Sequence, residues 1–156
     1  MTDELKIGEV AVAPGETRRI DLPVVRLYTD TEMAIPVHVH RGRKSGPCMF
    51  VCAAIHGDEL NGIEIINRLI NSRALNSLRG TLIAVPVVNV YGLLDQSRYL
   101  PDRRDLNRSF PGSPEVPWHR VWHTYLSTKS FPSVTTASTC TPVPCTAVTC
   151  PRSAPT

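Results

Sequence analysis

The apolar positions change their period several times along the chain, and each change marks an element. Residues 18–27 (RRIDLPVVRL) and 33–41 (MAIPVHVHR) partly alternate polar and apolar side chains and are rich in β-formers, which predicts two strands. The polar stretch Thr29 to Glu32 lies between them, so an antiparallel pair is expected to lead the fold. Arg41 to Pro47 (RGRKSGP) reads as a basic loop. Met49 to Ile55 (MFVCAAI) is a continuous apolar run of strand length, the pattern of a strand covered on both faces in a parallel sheet. In residues 60–74 the period lengthens: Leu60, Ile63, Ile66, Leu69 and Ile70 recur at three- and four-residue steps, which predicts a helix. Thr81 to Val90 (TLIAVPVVNV) returns to strand character, with Pro86 expected to end part of it or force a bulge. Strand, helix and strand make a βαβ unit, whose crossover should be right-handed. Tyr91 to Gly112 has no sustained period, and long irregular segments after a strand are often functional. The fold class expected is α/β with a mixed sheet.

Composition adds a boundary. All fourteen acidic residues lie at or before Glu115. The 41 residues that follow contain no Asp, Glu, Gly, Asn, Gln or Ile, yet hold both Trp, three of the five Cys and fourteen Ser or Thr. Residues 1–115 are therefore expected to form one unit, and residues 116–156 a poorly ordered tail of different origin. The net charge of +3 is too mild to argue for nucleic acid, and no apolar run approaches the roughly 18 residues of a membrane span. The N-terminus, MTDELKIGEV, has acids where a signal peptide needs a basic then apolar run, so a cytoplasmic protein is expected.

Two clusters carry chemistry. His56-Gly57-Asp58-Glu59 falls where the apolar strand ends and the helix begins. Ligands of open α/β sheets bind at the carboxyl ends of strands. An imidazole nitrogen and a carboxylate oxygen are both good zinc donors, and three-residue spacing across a tight turn can bring them to one point. The plainer alternative is that the two acids favour the helix N-terminus and His56 is a surface residue. The second cluster is Arg103-Arg104-Asp105-Leu106-Asn107-Arg108, followed by Phe110-Pro111-Gly112. Arginine presents a rigid fork that matches a carboxylate, and asparagine adds a donor and an acceptor. A solvated charged loop is the alternative there. His38 and His40 share a strand face and read as structural or exposed. Cys48 and Cys52, in or beside the apolar strand, read as core thiols.

Taken together, His-Gly-Asp-Glu-x-Asn-Gly after an apolar strand and then Asp-Leu-Asn-Arg-x-Phe-Pro-Gly resemble the succinylglutamate desuccinylase/aspartoacylase family, relatives of the zinc carboxypeptidases. The resemblance covers roughly residues 20–115. It implies a mixed sheet of zinc-carboxypeptidase type and a zinc-dependent hydrolase that cleaves an amide or ester bond in a small N-acyl amino acid. It maps His56 and Glu59 to two zinc ligands, and Asn107 and Arg108 to binders of the substrate carboxylate. Arg98 corresponds to a further substrate arginine, and Asp105 to a residue that shapes the loop.

A catalytic zinc site needs three protein ligands and an open position. The family takes its third ligand from a histidine-threonine motif on a later strand and its general base from a later glutamate. No acid follows Glu115, and the setting of His119 and His123 (VPWHRVWHTYL) does not match that motif. Reading synonymous codons for residues 116–156 one base out of register, with a glycine codon completed after Glu115, yields a helix-like SLASRLAHLFINEVV and then YGIDLHTG. The second segment is a strand ending in the missing motif. A frameshift just after Glu115 is therefore expected, leaving a truncated chain with little turnover. The alternative is a non-catalytic fragment that binds a metal or a carboxylate. Exposed strand edges in such a fragment favour self-association.

Overall fold

The computed structural model describes residues 5–7, 9–109, 138–139 and 148–149. The rest of the predicted tail, with His119, His123 and Cys140, Cys145 and Cys150, lies outside the described residues, as do Phe110, Pro111 and Gly112.

Two short strands, β1 (Leu5–Ile7) and β2 (Val10–Val12), form an antiparallel ribbon at the start. The alternation in residues 1–12 is too short to announce them, yet Ile7 and Val12 are buried. The expected hairpin follows as β3 (Thr17–Arg26) and β4 (Glu32–Arg41), antiparallel, with Ile20 opposite Val37 and Leu22 opposite Ile35. Asp30, in the turn, takes a left-handed φ of 63°.

The next strand, β5 (Lys44–Cys52), starts earlier than the apolar run and ends before it does. It takes in most of the basic segment expected as a loop. Helix α1 (Asn61–Ile70) is shorter than predicted, because a 3₁₀ turn at Arg73–Ser77, capped by the Ser72 hydroxyl, replaces its end. Strand β6 (Arg79–Val85) stops just before Pro86, so the proline neither bulges nor interrupts the ladder. Part of the segment read as irregular is helical: α2 (Val90–Asp95) and a 3₁₀ turn at Leu106–Ser109.

The main sheet has the order β3-β4-β6-β5-β7, where β7 is Ser138–Thr139; β8 (Val148–Thr149) also pairs with β5. β4 and β6 are antiparallel, while β5 and β6 are parallel with Phe50 beside Ile83 and Cys52 beside Val85. The sheet is therefore mixed, and β5-α1-β6 is the predicted crossover unit.

Apolar side chains cover both faces of β5 and β6. On one face Phe50, Cys52, Ile83 and Val85 continue the core of Ile20, Leu22, Val37 and Val39, closed by Ile7, Val12, Leu100 and Leu106. On the other, Leu82, Ala84 and Ala53 meet Ile66, Leu69 and Ile70 of α1. Burial on both sides is why the strand shows no alternation. Cys52 is buried and Cys48 packs half-buried against the same core. His38 and His40 sit half-buried on the opposite face of β4 from Val37 and Val39.

Candidate functional site

The chain leaves β5 through a bend that sequence alone did not announce. Ala54, 1% exposed, takes a left-handed φ of 48°. A residue with a Cβ pays about 1–2 kcal/mol for that conformation. The bend is held by backbone bonds: Val88 N donates to Ala53 O at 3.1 Å and Asn89 N to Ala54 O at 2.9 Å. Such strain is kept where surrounding structure fixes it, often at functional sites. His56, two residues on, is 1% exposed.

Gly57 lets the bend press against α2. A Cβ there would lie 1.8 Å from the Gly92 carbonyl carbon and 1.9 Å from its oxygen. Gly57 N also donates to Ser97 O at 2.9 Å, and Ser97 N to Gly92 O at 2.8 Å. Asn89, buried at 1% exposure, caps α2 by accepting from Gly92 N at 2.8 Å. The strand end that carries His56 is thus fastened to the segment that carries Arg98. Sequence reading missed Asn89, although an asparagine just ahead of a helical stretch is a recognisable N-cap signal.

His56 stands between two carboxylates. Its Nδ1 is 2.9 Å from Glu59 Oε1, and its Nε2 is 3.0 Å from Asp105 Oδ1. Both contacts are hydrogen bonds only for a ring that carries two protons; a singly protonated ring donates to one and turns a lone pair to the other. With the proton on Nε2, His56 donates to Asp105, and Nδ1 and Glu59 become two acceptors at one place. Glu59 Oε2 is also buried with no hydrogen-bond partner. Two converging acceptors and an orphaned carboxylate oxygen are donors of the kind that could hold a divalent cation. Among the described residues no group of three His, Cys, Asp or Glu side chains is placed to hold a metal, so a third protein ligand is not among them.

Asp105 turns out to be central. Its Oδ1 also accepts from Asn107 N at 3.0 Å, which closes the start of the 3₁₀ turn. Its Oδ2 lies 3.4 Å from Arg98 Nη2 and 3.8 Å from Arg108 Nε. Burial alone would raise its carboxyl, but the hydrogen bonds from His56 and the Asn107 N–H, with the charge of Arg98, hold it below the usual carboxylate range. A role at His56 could not be read from spacing, since the two residues are 49 apart in sequence.

The structure brings His56, Glu59 and Arg98 together around Asp105, with Arg108 at its outer side. Arg98 also lies 4.0 Å from Glu59 Oε1. Asn107 and Arg108 are exposed on the outer side of the 3₁₀ turn, whose Leu106 is buried beneath them. Asp58 points to solvent at the start of the α1 approach.

Known proteins resemble this chain in sequence and in fold. A sequence model of the succinylglutamate desuccinylase/aspartoacylase catalytic domain matches residues 45–130. The chain is 37% identical over 82 residues to an N-alpha-acetyl-L-2,4-diaminobutyric acid deacetylase of Halomonas elongata, covering 52% of this chain and 24% of that protein. A product-bound ectoine utilization protein of Ruegeria pomeroyi superposes with a TM-score of 0.65 at 27% identity, over 81% of this chain and 41% of that one. A succinylglutamate desuccinylase/aspartoacylase of Rhodobacter sphaeroides gives 0.62 at 26%, over 74% and 37%. The chain spans about a quarter of the curated relative and about two fifths of these solved structures. With a family match across more than half its length, and the His56 turn and the Asp105 loop converging as described, the chain belongs to the succinylglutamate desuccinylase/aspartoacylase family.

Proposed function

We propose that this chain is the N-terminal part of a zinc-dependent hydrolase that cleaves the amide bond of a small N-acyl amino acid. The observation that carries this is the convergence of His56 Nδ1 and Glu59 Oε1 at 2.9 Å with Glu59 Oε2 buried and unpartnered. His56 and Glu59 would hold the zinc, which when bound supplies an activated water and polarises the scissile carbonyl. Asp105 would accept a hydrogen bond from His56 Nε2–H and so fix which nitrogen faces the metal, the usual arrangement for a ligating histidine. Arg98 and Arg108 would supply positive charge and Asn107 a neutral amide donor to receive the substrate carboxylate. The relative from Halomonas elongata is named for an N-acetyl diamino acid, which makes acetylated amino acids the first substrates to try.

Residues 1–115 contain neither a third ligand nor a general base in this reading. The frameshift after Glu115 supplies the reason: the restored frame ends a strand in His-Thr-Gly. The chain as it stands is then a weak metal binder with little turnover, and its function belongs to the longer, in-frame protein, working in the cytoplasm. Strand edges left uncovered favour homo-oligomers.

The test is to sequence the coding DNA beyond the Glu115 codon, express both frames, and follow release of free amine from N-acetyl-2,4-diaminobutyrate, N-acetylaspartate and N-succinylglutamate. The 156-residue chain should show little release. The restored chain should be active with zinc and lose at least about a hundredfold in kcat on His56→Ala, the scale of losing one electrostatic contribution. An unbroken frame through residue 156 with no family-like sequence downstream would overturn the frameshift. Zinc binding without hydrolysis by every form would favour a non-catalytic binding protein.

A further inference from the structure

A cation already stands at the two carboxylates of the site. Arg98 places Nη2 at 3.4 Å from Asp105 Oδ2 and Nη1 at 4.0 Å from Glu59 Oε1. Both contacts are longer than tight charge-assisted hydrogen bonds, which run to about 2.7–2.9 Å. The arginine therefore balances charge here more than it locks geometry.

Its stem and its head are treated differently. The backbone beside it is fastened, since Ser97 O accepts from Gly57 N and Ser97 N donates to Gly92 O. The side chain keeps 45% of its exposure, against 19% for Glu59 and 10% for Asp105. A guanidinium fixed at its base and open at its tip can turn away without any backbone movement. Arg108 differs: it approaches Asp105 at 3.8 Å and is 87% exposed.

Glu59 is proposed above as a ligand, and Asp105 as the support of His56. We propose that Arg98 is the internal counter-ion of the metal-free site, occupying Glu59 and Asp105 until a divalent cation arrives and then turning outward to the substrate carboxylate. This rests on the zinc reading. Two like-charged groups cannot both be favoured at one pair of carboxylates in a partly buried setting. The arginine and the metal therefore compete, and the binding site for the substrate's negative end is completed only after metal loading.

A brace and a competitor predict opposite signs. Removing a brace loosens the site and weakens metal binding, whereas removing a competitor strengthens it. The experiment is a zinc titration of the full 156-residue chain against a chelating indicator, comparing the parent with Arg98→Met, Arg98→Lys and Glu59→Gln. Arg98→Met is expected to bind zinc about five- to twenty-fold tighter at low ionic strength, with the gain shrinking at about 1 M salt where the screening length is about 3 Å. Arg98→Lys, which keeps the charge, should stay near the parent. Glu59→Gln should weaken binding. Equal or weaker binding by Arg98→Met, with Glu59→Gln still weakened, overturns the counter-ion role and leaves the metal site standing. Zinc binding that Glu59→Gln does not change, or no binding by any form, overturns the metal reading and the counter-ion with it.

Discussion

At the scale of single residues, Asp105 shows how a side chain acts through another. It touches no proposed metal position itself, yet in the proposed arrangement its contact with His56 Nε2 would leave Nδ1 bare. Asp105→Asn presents an amide whose nitrogen can face Nε2 and whose oxygen accepts more weakly. Zinc affinity is expected to fall about 10- to 100-fold while the far-ultraviolet circular dichroism stays unchanged. Calorimetric titration checks this, and an unchanged affinity would show that Asp105 only shapes its loop. His38 and His40 give a second residue-scale outcome. Burial lowers the His38 imidazole below its ordinary value of 6.5, helped by Arg19 and opposed by Asp21. Burial also lowers His40, with His38 adding to the effect, and its Nδ1 lies 3.2 Å from the Thr17 hydroxyl. The unfolded chain thus takes up protons at a higher pH than the folded one. Their contribution to stability is complete above about pH 6.5 and falls as the pH drops below it. Denaturant midpoints measured from pH 7.5 to 5 should fall, and His38→Gln with His40→Gln should flatten the slope.

Elements meet here through backbone rather than side chains. Gly57 meets the Gly92 backbone because position 57 has no Cβ, and the contact sets the distance between the end of β5 and the start of α2. An alanine at position 57 would strike main-chain atoms at 1.8 Å and 1.9 Å, which no rotamer change relieves. Gly57→Ala is expected to cost about 3 kcal/mol or more, at the upper end of overpacking effects. Urea melts would read this, and a loss under about 1 kcal/mol would mean that the two elements separate easily. The sequence made the elements legible where apolar patterning was long: β3, β4, β5, α1 and β6 all lie near their predicted positions. It failed where backbone bonds decide. The basic 41–47 segment joins β5 because it pairs with β6, Lys44 lying opposite Arg79, and no property of its side chains shows that. The end of α1 becomes a 3₁₀ turn because Ser72 caps anew, with Ala74 N donating to its hydroxyl at 3.2 Å.

For the whole molecule, the site was legible as two motifs but not as one object. His56 and Glu59 could be paired from their spacing. Arg98, Asn107 and Arg108 could be given a sign and a shape. That Asp105 joins the two halves depends on the 3₁₀ turn folding back over Leu100 and Leu106 onto the core, a long-range outcome of packing. The mixed sheet places β5 beside β6, and among the described residues only the two-residue strands β7 and β8 lie on its other side. A parallel strand of full length on that side would bring its carboxyl end level with the His56 turn, where the proposed in-frame protein would place a third ligand.

The hydrogen bond from Gly57 N to Ser97 O gives the molecule a built-in reporter. That amide proton exchanges with solvent only when the turn bearing the first motif parts from the segment bearing the second. Its exchange rate in heavy water therefore measures, at one atom, how often the two halves of the site come apart, and a ligand that bridges them should slow that single signal before it slows any other.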